Sequence, residues 1–404
     1  MSDPAARPLR PSATGGITAT LVVCLGCAQI ISWGTMHYLV SVFGPAIQAE
    51  LGWSAGFVHG GFSCALAVMG LSSVWVGRRI DRHGGRAPMM AGCALGAAGC
   101  VTLAGAHHGA VYYMGWVLLG LGMRLALYDA AFAALAHLGG PASRQAMSQV
   151  TLFGGLSSTI FWPLGQWLGQ EWGWRSALAV YALLLLASSL LYLALPRGHG
   201  PDTAGTAPGR DAPDRPAVRA DVLLYGCIAT LALFIQTGMS AHLPGILRGL
   251  GWTPGMAVSL SALFGIGQVA GRVGIAATGR RARTLTVNLL PCLLLCLCFA
   301  AALAAGATLP GALAFTLLYG AGNGMATIMR GAIPLALFDA RNYGRIVGGV
   351  LRPAFMLSAA APVCFALVIG HVGHAGLLAA ALSMAAAQLA AALLLRHRHQ
   401  DSPS

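Results

Sequence analysis

Charged residues are scarce in this sequence, and lysine does not occur in it at all. Only 9% of the 404 residues are charged and 57% are hydrophobic, whereas a soluble globular domain carries about 25% charged residues. This balance excludes a soluble globule. The formal net charge is +13, but the arginines cluster in short segments between apolar runs. That placement is typical of membrane topology signals and not of a nucleic-acid surface.

Motifs for cofactors and metals are missing as well. The ten cysteines lie in apolar runs, and Cys24 and Cys27, which have the spacing of a metal or redox pair, lack a second pair of ligands. Buried thiols acting as small hydrophobic side chains explain them better. A membrane-embedded enzyme would need clustered His and Asp ligands, or a nucleophile with its base. We therefore predict no metal, no cofactor and no enzymatic activity, and without an ATP-binding motif the energy source must be a gradient.

Twelve apolar runs dominate the chain. Crossing about 30 Å of hydrocarbon takes about 20 helical residues, and lipid cannot satisfy an open strand edge. The sequence therefore predicts an all-α membrane protein with twelve transmembrane helices. These lie at 17–44, 55–77, 87–106, 111–137, 146–168, 174–195, 221–243, 255–277, 284–306, 311–338, 346–370 and 374–395.

A segment rich in Pro, Gly, Asp and Arg separates the sixth run from the seventh, and its composition is typical of a flexible linker. It divides the helices into two six-helix bundles. The predicted organisation is a cytoplasmic tail at 1–16, a bundle at 17–195, a cytoplasmic linker at 196–220, a second bundle at 221–395 and a cytoplasmic tail at 396–404.

The arginines predict the orientation of these helices. If the N-terminus is cytoplasmic, 18 arginines lie in inside segments and only Arg175 and Arg248 lie in outside loops. Because positive residues are retained on the cytoplasmic side, both termini are predicted to be inside. Arginine in place of lysine, with abundant Ala and Gly, is typical of a GC-rich bacterial genome. We therefore expect the protein in the bacterial inner (plasma) membrane, and we expect it to be a monomer.

The two halves repeat each other, which predicts pseudo-symmetric bundles. Pro45–Ser54 recurs as Pro244–Thr253 at an offset of 199, and Gly120–Met123 is echoed by Gly322–Met325. Duplication across a central linker is typical of transporters built from parallel repeats. Their substrate site lies at the interface between the repeats, near the middle of the membrane.

A short basic loop between the second and third runs follows the pattern G-x-x-x-D-R-x-G-R-R. The matching residues are Gly77, Asp81, Arg82, Gly84 and Arg86. Gly85 departs from the pattern where a base is usual. With this loop the chain resembles the major facilitator superfamily, and the resemblance implies a secondary transporter working by alternating access. It also implies that the loop gates the cavity, with Asp81 bracing helix 2 against the N-terminal end of helix 11.

Arg124, in the middle of helix 4, is the predicted substrate-binding cation. An ionisable group inside a membrane helix is costly and marks a functional site by default. Its planar guanidinium matches a carboxylate bidentately. Tyr128 on the same helix is assigned to the same binding site. The alternative is a structural arginine satisfied by helix carbonyls and water.

Asp129 is the one acid well inside a predicted span, which makes it a candidate proton carrier. An arginine that approaches and leaves it during the cycle would make it release and bind a proton. On a continuous helix Arg124 and Asp129 lie about 140° apart, so Arg330 in helix 10 is the predicted partner of Asp129. A purely structural ion pair between the halves is the alternative.

His37 and Gln236 occupy equivalent repeat positions in helices 1 and 7. Together with Trp33 and Tyr38 they are predicted to form hydrogen bonds with a polar substrate. His37 titrates near physiological pH and is a second candidate for proton coupling. A hydrogen-bonded core histidine is the alternative.

Other charged and titratable groups are predicted nearer the helix ends. Arg272 and Arg352 lie in helices 8 and 11, which carry substrate-binding cations in the monocarboxylate and oxalate/formate branch that the chain resembles. The alternative for Arg272 is snorkelling to lipid phosphate. His59 and His242 are predicted to be wetted residues at the membrane interface.

The combined prediction is a symporter that takes up a small organic anion, such as a monocarboxylate, together with protons. Its partners would be this substrate, protons and the lipid bilayer, with no nucleic acid. The alternative is proton-driven efflux of a hydrophobic or amphipathic compound. Trp162 stands before Pro163 where drug antiporters of the superfamily carry glycine, which weighs against efflux. A non-transporting membrane sensor is the alternative of another class.

Overall fold

The computed structural model of the chain describes residues 17–139, 143–196, 216–277, 284–337 and 343–399, and no strand occurs in these ranges. The helices of the first half are α1 (Ala19–Ser32), α2 (Leu39–Leu51), α3 (Ala55–Leu71), α4 (Ser73–His83), α5 (Arg86–Ala104), α6 (Gly109–Ala126), α7 (Tyr128–Gly139), α8 (Ser143–Gly155) and α9 (Ser157–Ser189). Those of the second half are α10 (Pro216–Gly249), α11 (Pro254–Ala277), α12 (Thr284–Val287), α13 (Leu289–Ala305), α14 (Leu309–Leu337) and α15 (Tyr343–Arg398).

In the described part of the chain, nine helical stretches are long and apolar enough to cross a membrane. Two of them are broken, at Gly173 and Gly373, where φ is +76° and +73°. Only glycine adopts this conformation readily, so each of the two stretches contains two segments. The shorter apolar helix α3 completes a set of twelve. The predicted all-α fold with twelve transmembrane helices is confirmed.

Buried side chains form a separate core in each half. The first core draws on residues 21–195 and on Ala241 of the second half, and the second half has two clusters, one around Phe299 and one around Tyr225. Tyr38 and Trp162 belong to the first half by sequence but are buried in a cluster of the second half. The halves therefore meet through aromatic side chains as well as through helix backbones.

Glycines that bring helices close together correct the predicted repeat register. A Cβ on Gly120 would meet the backbone of α3, and a Cβ on Gly320 would meet the backbone of α11. Gly122 and Gly322 face α5 and α13 in the same way. The equivalent of Gly120 is thus Gly320, and the predicted match to Gly322 is wrong by two residues. In α14 the glycines Gly320, Gly322 and Gly324 form two overlapping G-x-G motifs. The sequence alone does not tell which of the two matches Gly120–Gly122, and only the packing of the helices distinguishes them.

One transmembrane segment is interrupted in its middle. Leu127 adopts an extended conformation, with φ −80° and ψ −172°, between α6 and α7. The break removes the intrahelical partner of the Ala126 carbonyl, and Gln29 Nε2 donates to that oxygen at 2.7 Å. Tyr192 Oη donates to the same oxygen at 3.4 Å. Buried carbonyls need such partners, so α1 and the end of the first half hold the break in place.

Candidate functional site

The break at Leu127 brings together two side chains that were predicted to point apart. Arg124 Nη1 donates to Asp129 Oδ2 in an ion pair, and Arg124 Nη2 donates to the Ser73 carbonyl at 3.4 Å. On a continuous helix the two side chains would lie about 140° apart, but the chain changes direction between them at Leu127. The prediction that these residues are poorly placed to pair is therefore wrong, and Arg124 takes the position expected for Arg330.

The two members of the pair differ in exposure. The side chain of Arg124 is 15% exposed and that of Asp129 is 42% exposed. Arg124 Nε is buried without a hydrogen-bond acceptor in the described part of the structure. The Arg124 guanidinium is therefore held by groups of the protein, while the Asp129 carboxylate remains accessible.

A pocket between α10, α13 and α14 contains two of the predicted binding residues. It is lined by Gln236, Tyr319, Asn323, Thr327 and Arg330, together with apolar side chains of the three helices. Gln236 and Arg330 were predicted independently, from repeat position and from charge. The structure brings them into one site in the second half of the chain.

Several hydrogen-bond donors in this pocket are unused. Within the described ranges the Arg330 guanidinium has no hydrogen-bond or ion-pair partner, and Tyr225 Oη donates to the Arg330 carbonyl at 2.9 Å. Tyr319 Oη is buried without a partner in the same ranges. Gln268 Nε2 donates to Asn323 Oδ1 at 2.8 Å, which leaves Asn323 Nδ2 available. Unpaired buried polar groups are rare in proteins, and donors gathered around a guanidinium suit an anion.

The predicted residues of helices 1 and 4 form an aromatic cluster. A π-helical turn, Trp33–His37, ends with Tyr38 N–H donating to the Trp33 carbonyl at 3.1 Å. The Trp33 ring lies 4.6 Å from His37, 6.4 Å from Tyr38 and 5.0 Å from Tyr128, between centroids. Single π-helical turns often occur at functional sites. All four predicted residues are therefore in one place.

A row of rings connects this cluster with the pocket. Tyr38 lies 5.1 Å from Trp162, Trp162 lies 6.0 Å from Phe264, and Phe264 stacks on Tyr319 at 4.9 Å. Tyr319 belongs to the pocket wall. Packed rings thus link the aromatic cluster of the first half to the wall of the pocket in the second half.

The structure explains why glycine occupies positions 84 and 85 of the basic loop. Gly84 ends α4 with φ +74°, and its N–H donates to the Ile80 carbonyl at 2.8 Å. A Cβ on Gly85 would collide with Ala134 of α7, which explains why no base occupies this position. Arg86 Nη1 lies 3.5 Å from the Leu195 carbonyl.

The remaining predicted positions are less informative or have another role. Gly77 lies in α4 with open space around its Cα. Arg272 is only 5% exposed, and its Nη1 donates to the Thr151 carbonyl of α8. It therefore joins the halves instead of snorkelling to lipid. Three predicted side chains lie outside the described part of the structure, namely Asp81, Arg82 and Arg352.

Two histidines were assigned wrongly from the sequence. His59 and His242 are 6% and 7% exposed, so they are not wetted interfacial residues. Their rings contact each other across the two halves in a tilted arrangement. No local sequence signal reveals this, because the two rings come from helices of different halves that both pack against α15. Asn323 was also missed, although its position between Gly322 and Gly324 in the repeated glycine motif offered a signal.

Comparison with known proteins identifies the family. The family model described as Major Facilitator Superfamily matches residues 22–361. The chain belongs to the Major Facilitator Superfamily. It is therefore a secondary transporter and not an enzyme. The comparison does not reach the monocarboxylate and oxalate/formate branch, which remains a prediction.

Solved structures of superfamily members share the fold. A bacterial homologue of the human lysosomal transporter Spinster, inward-facing and occupied, is 14% identical with a TM-score of 0.67, over 95% of this chain and 98% of that one. The nucleoside transporter NupG is 13% identical with a TM-score of 0.69, over 94% and 98%. Comparison with curated protein sequences returns no match.

Proposed function

We propose that this transporter takes up a small organic anion together with protons, and that Arg330 binds the anion. The observation that carries the proposal is the Arg330 guanidinium, which has no hydrogen-bond or ion-pair partner in the described ranges and lines a pocket that also contains Gln236, Tyr319 and Asn323. Arg124, the cation favoured by sequence, already interacts with Asp129 and the Ser73 carbonyl. An arginine without a protein partner is the one free to bind a carboxylate bidentately.

The other pocket residues support an anion that also carries an apolar or aromatic part. Asn323 Nδ2, Tyr319 Oη and the Gln236 amide can donate to the remaining carboxylate or hydroxyl oxygens. Trp33 and Tyr128 of the aromatic cluster offer ring faces to the rest of the molecule. This division of polar and apolar groups favours a monocarboxylate with a small organic body.

Asp129 is the proposed proton carrier. Its carboxylate is accessible, and its bond to Arg124 exists only while the carboxylate is charged. Protonation of Asp129 would release the Arg124 guanidinium at the break between α6 and α7. Arg330 also lies within the electrostatic reach of Asp129, which connects proton binding with the anion site. His37, 3.2 Å from Ser240 Oγ, is the second candidate for this role.

A second candidate function is proton-driven efflux of hydrophobic or amphipathic compounds. The aromatic cluster favours it, because Trp and Tyr faces attract organic cations as well as apolar groups. On this alternative Arg330 would not contact the substrate.

A ligand-induced thermal shift of the purified protein tests the proposal. A ligand that binds only the folded state raises the melting temperature by mass action. We expect small carboxylates to raise it, and Arg330→Gln to weaken their binding about 10- to 100-fold, as for a lost hydrogen-bonded charge.

Two further variants make the test specific. Arg124→Gln should keep the carboxylate response, and Arg248→Gln, at the end of α10, serves as a matched loss of one arginine away from the pocket. If Arg124→Gln loses the response and Arg330→Gln keeps it, Arg124 is the anion site after all. Stabilisation by lipophilic cations alone, independent of Arg330, would establish the efflux alternative.

A further inference from the structure

Two histidines connect the halves near one end of the molecule. His59 lies in the second turn of α3, in the first half, and His242 lies near the end of α10, in the second half. Their ring centroids are 3.9 Å apart with an interplanar angle of 32°. Both side chains are buried. The two imidazoles therefore form a closed contact between the bundles.

The hydrogen bonds of this contact suit two neutral rings. His242 Nε2 lies 2.8 Å from the Pro362 carbonyl in α15, and because a carbonyl only accepts, this nitrogen carries the hydrogen. His59 Nδ1 is buried and has no hydrogen-bond partner in the described ranges. A proton added to His59 would create a buried charge beside another imidazole, with no acceptor in place for the new N–H.

The surroundings do not compensate such a charge. His374 of α15 acts electrostatically on His242, and Arg248 of α10 acts on His374. Phe365 of α15 stacks on His242 with 6.2 Å between centroids. Two tyrosines of α6, Tyr112 and Tyr113, lie near His59. Their hydroxyls donate to backbone carbonyls near it. No acid acts on either ring in the described ranges, and the neighbouring basic groups disfavour an additional positive charge.

We propose that His59 and His242 form a proton-binding site that holds the halves together at this end while both rings are neutral. When a ring gains a proton, the buried charge disfavours the contact between the rings and the halves separate there. Histidine is the side chain that changes charge between about pH 5 and pH 8. A histidine exposed to water titrates at about pH 6.5, so acidification below that pH favours separated, hydrated rings over the closed contact.

The position of the pair along α10 gives this contact a place in the transport cycle. His242 lies six residues beyond the pocket residue Gln236, about 9 Å along the helix axis at 1.5 Å per residue. The pair therefore closes the way to the pocket from this end. The arginine distribution predicts this end to be external, so the protons that open the contact come from the outside. This role is independent of which substrate occupies the pocket.

Hydrogen–deuterium exchange of the purified full-length chain in lipid nanodiscs tests the site without any substrate. Exchange is compared at pH 8 and pH 5.5 after scaling the labelling time to the intrinsic exchange rate. We expect peptides from the start of α3 and the end of α10 to exchange several-fold faster at pH 5.5. In His59→Phe/His242→Gln this acceleration should vanish, because Phe keeps a ring in the contact and Gln keeps a donor for Pro362.

Further variants keep the outcome decisive. His59→Arg carries a permanent charge and should show fast exchange at pH 8 as well. His371→Gln removes an exposed histidine of α15 and should respond to pH like the wild type. If the double variant does not fold, His242→Gln alone is expected to reduce the response. A wild type without a pH response, an unchanged response in the neutral variants, or a protected His59→Arg protein at pH 8 would each overturn the proposal.

Discussion

At the scale of residues, the partners of a charge decide its role. Arg124, Arg272 and Arg330 all lie inside membrane segments, where a charge marks a functional site by default. Two of them donate to oxygens of the protein, whereas Arg330 faces the pocket without a partner in the described ranges. The cost of a charge inside the membrane therefore identifies all three arginines as candidates for a functional site. Their hydrogen bonds distinguish the two arginines that donate to the protein from Arg330, the proposed ligand-binding residue.

The Arg124–Asp129 pair gives a prediction about stability. Asp129→Asn leaves the charge of Arg124 without its carboxylate, so the melting temperature should fall. Arg124→Gln/Asp129→Asn removes both charges and should recover part of the loss. Because Asp129 is partly exposed, we expect a coupling of about 1 kcal/mol, between the values of surface and buried pairs. Thermal unfolding of the four proteins of this double-mutant cycle measures the coupling, and additive effects would show that the pair contributes nothing.

At the scale of elements, the two halves differ where the site lies. The transmembrane segments of the first half that carry the aromatic cluster are interrupted, by the turn Trp33–His37 and by Leu127. Their counterparts α10 and α14 are continuous through the pocket. Interrupted helices free backbone groups and let short segments shift. The first half is therefore the more deformable side of the site, and the second half is the rigid side that presents Arg330.

Close packing of α14 on α11 gives a prediction for this rigid side. A Cβ on Gly320 would meet the Phe264 carbonyl, whereas a Cβ on Gly331 of the same helix has nothing within 4 Å. Gly320→Ala should lower the melting temperature, since overpacking costs about 1–3 kcal/mol. Gly331→Ala is the matched control and should be neutral or slightly stabilising, because alanine favours the helix by about 1 kcal/mol. Equal melting temperatures for the two variants would contradict the close contact.

At the scale of the whole molecule, contacts between the halves are spread along their length. α3 packs against α15, where Cβ atoms on Gly60 and Gly70 would meet Val363 and Met356. Arg272 ties α11 to α8, and the aromatic row continues from one half to the other. Movement of the halves against each other must therefore break several small contacts instead of one large interface. Each of these contacts is weak enough to break and form again during the transport cycle.

The proposed orientation is a prediction for the whole chain. With both termini cytoplasmic, green fluorescent protein fused behind residue 404 should fluoresce in bacterial cells. Alkaline phosphatase fused at the same place should be inactive, because it matures only outside the cytoplasm. The same phosphatase inserted in the loop after Trp53 should be active. The reverse pattern would invert the orientation and would place the His59–His242 contact on the cytoplasmic side.

Local sequence determined the fold class of this protein and two residues of its proposed site. Apolar runs of membrane-spanning length need no tertiary information, since each span is a helix whatever surrounds it. Arg330 and Gln236 could be predicted for the same reason. Arg330 places a charge in a membrane segment, and Gln236 occupies the repeat position of His37. Both are properties of a single segment or of a comparison between two segments.

Tertiary packing decided which of these groups meet. The break at Leu127 depends on Gln29, 97 residues away, which donates to the freed Ala126 carbonyl. That break pairs Arg124 with Asp129, and Arg330 has no side-chain partner in the described ranges. The ring contact between His59 and His242 likewise joins helices of different halves. Hydropathy and helical period describe one segment at a time, whereas these contacts depend on how separate segments satisfy each other's polar groups.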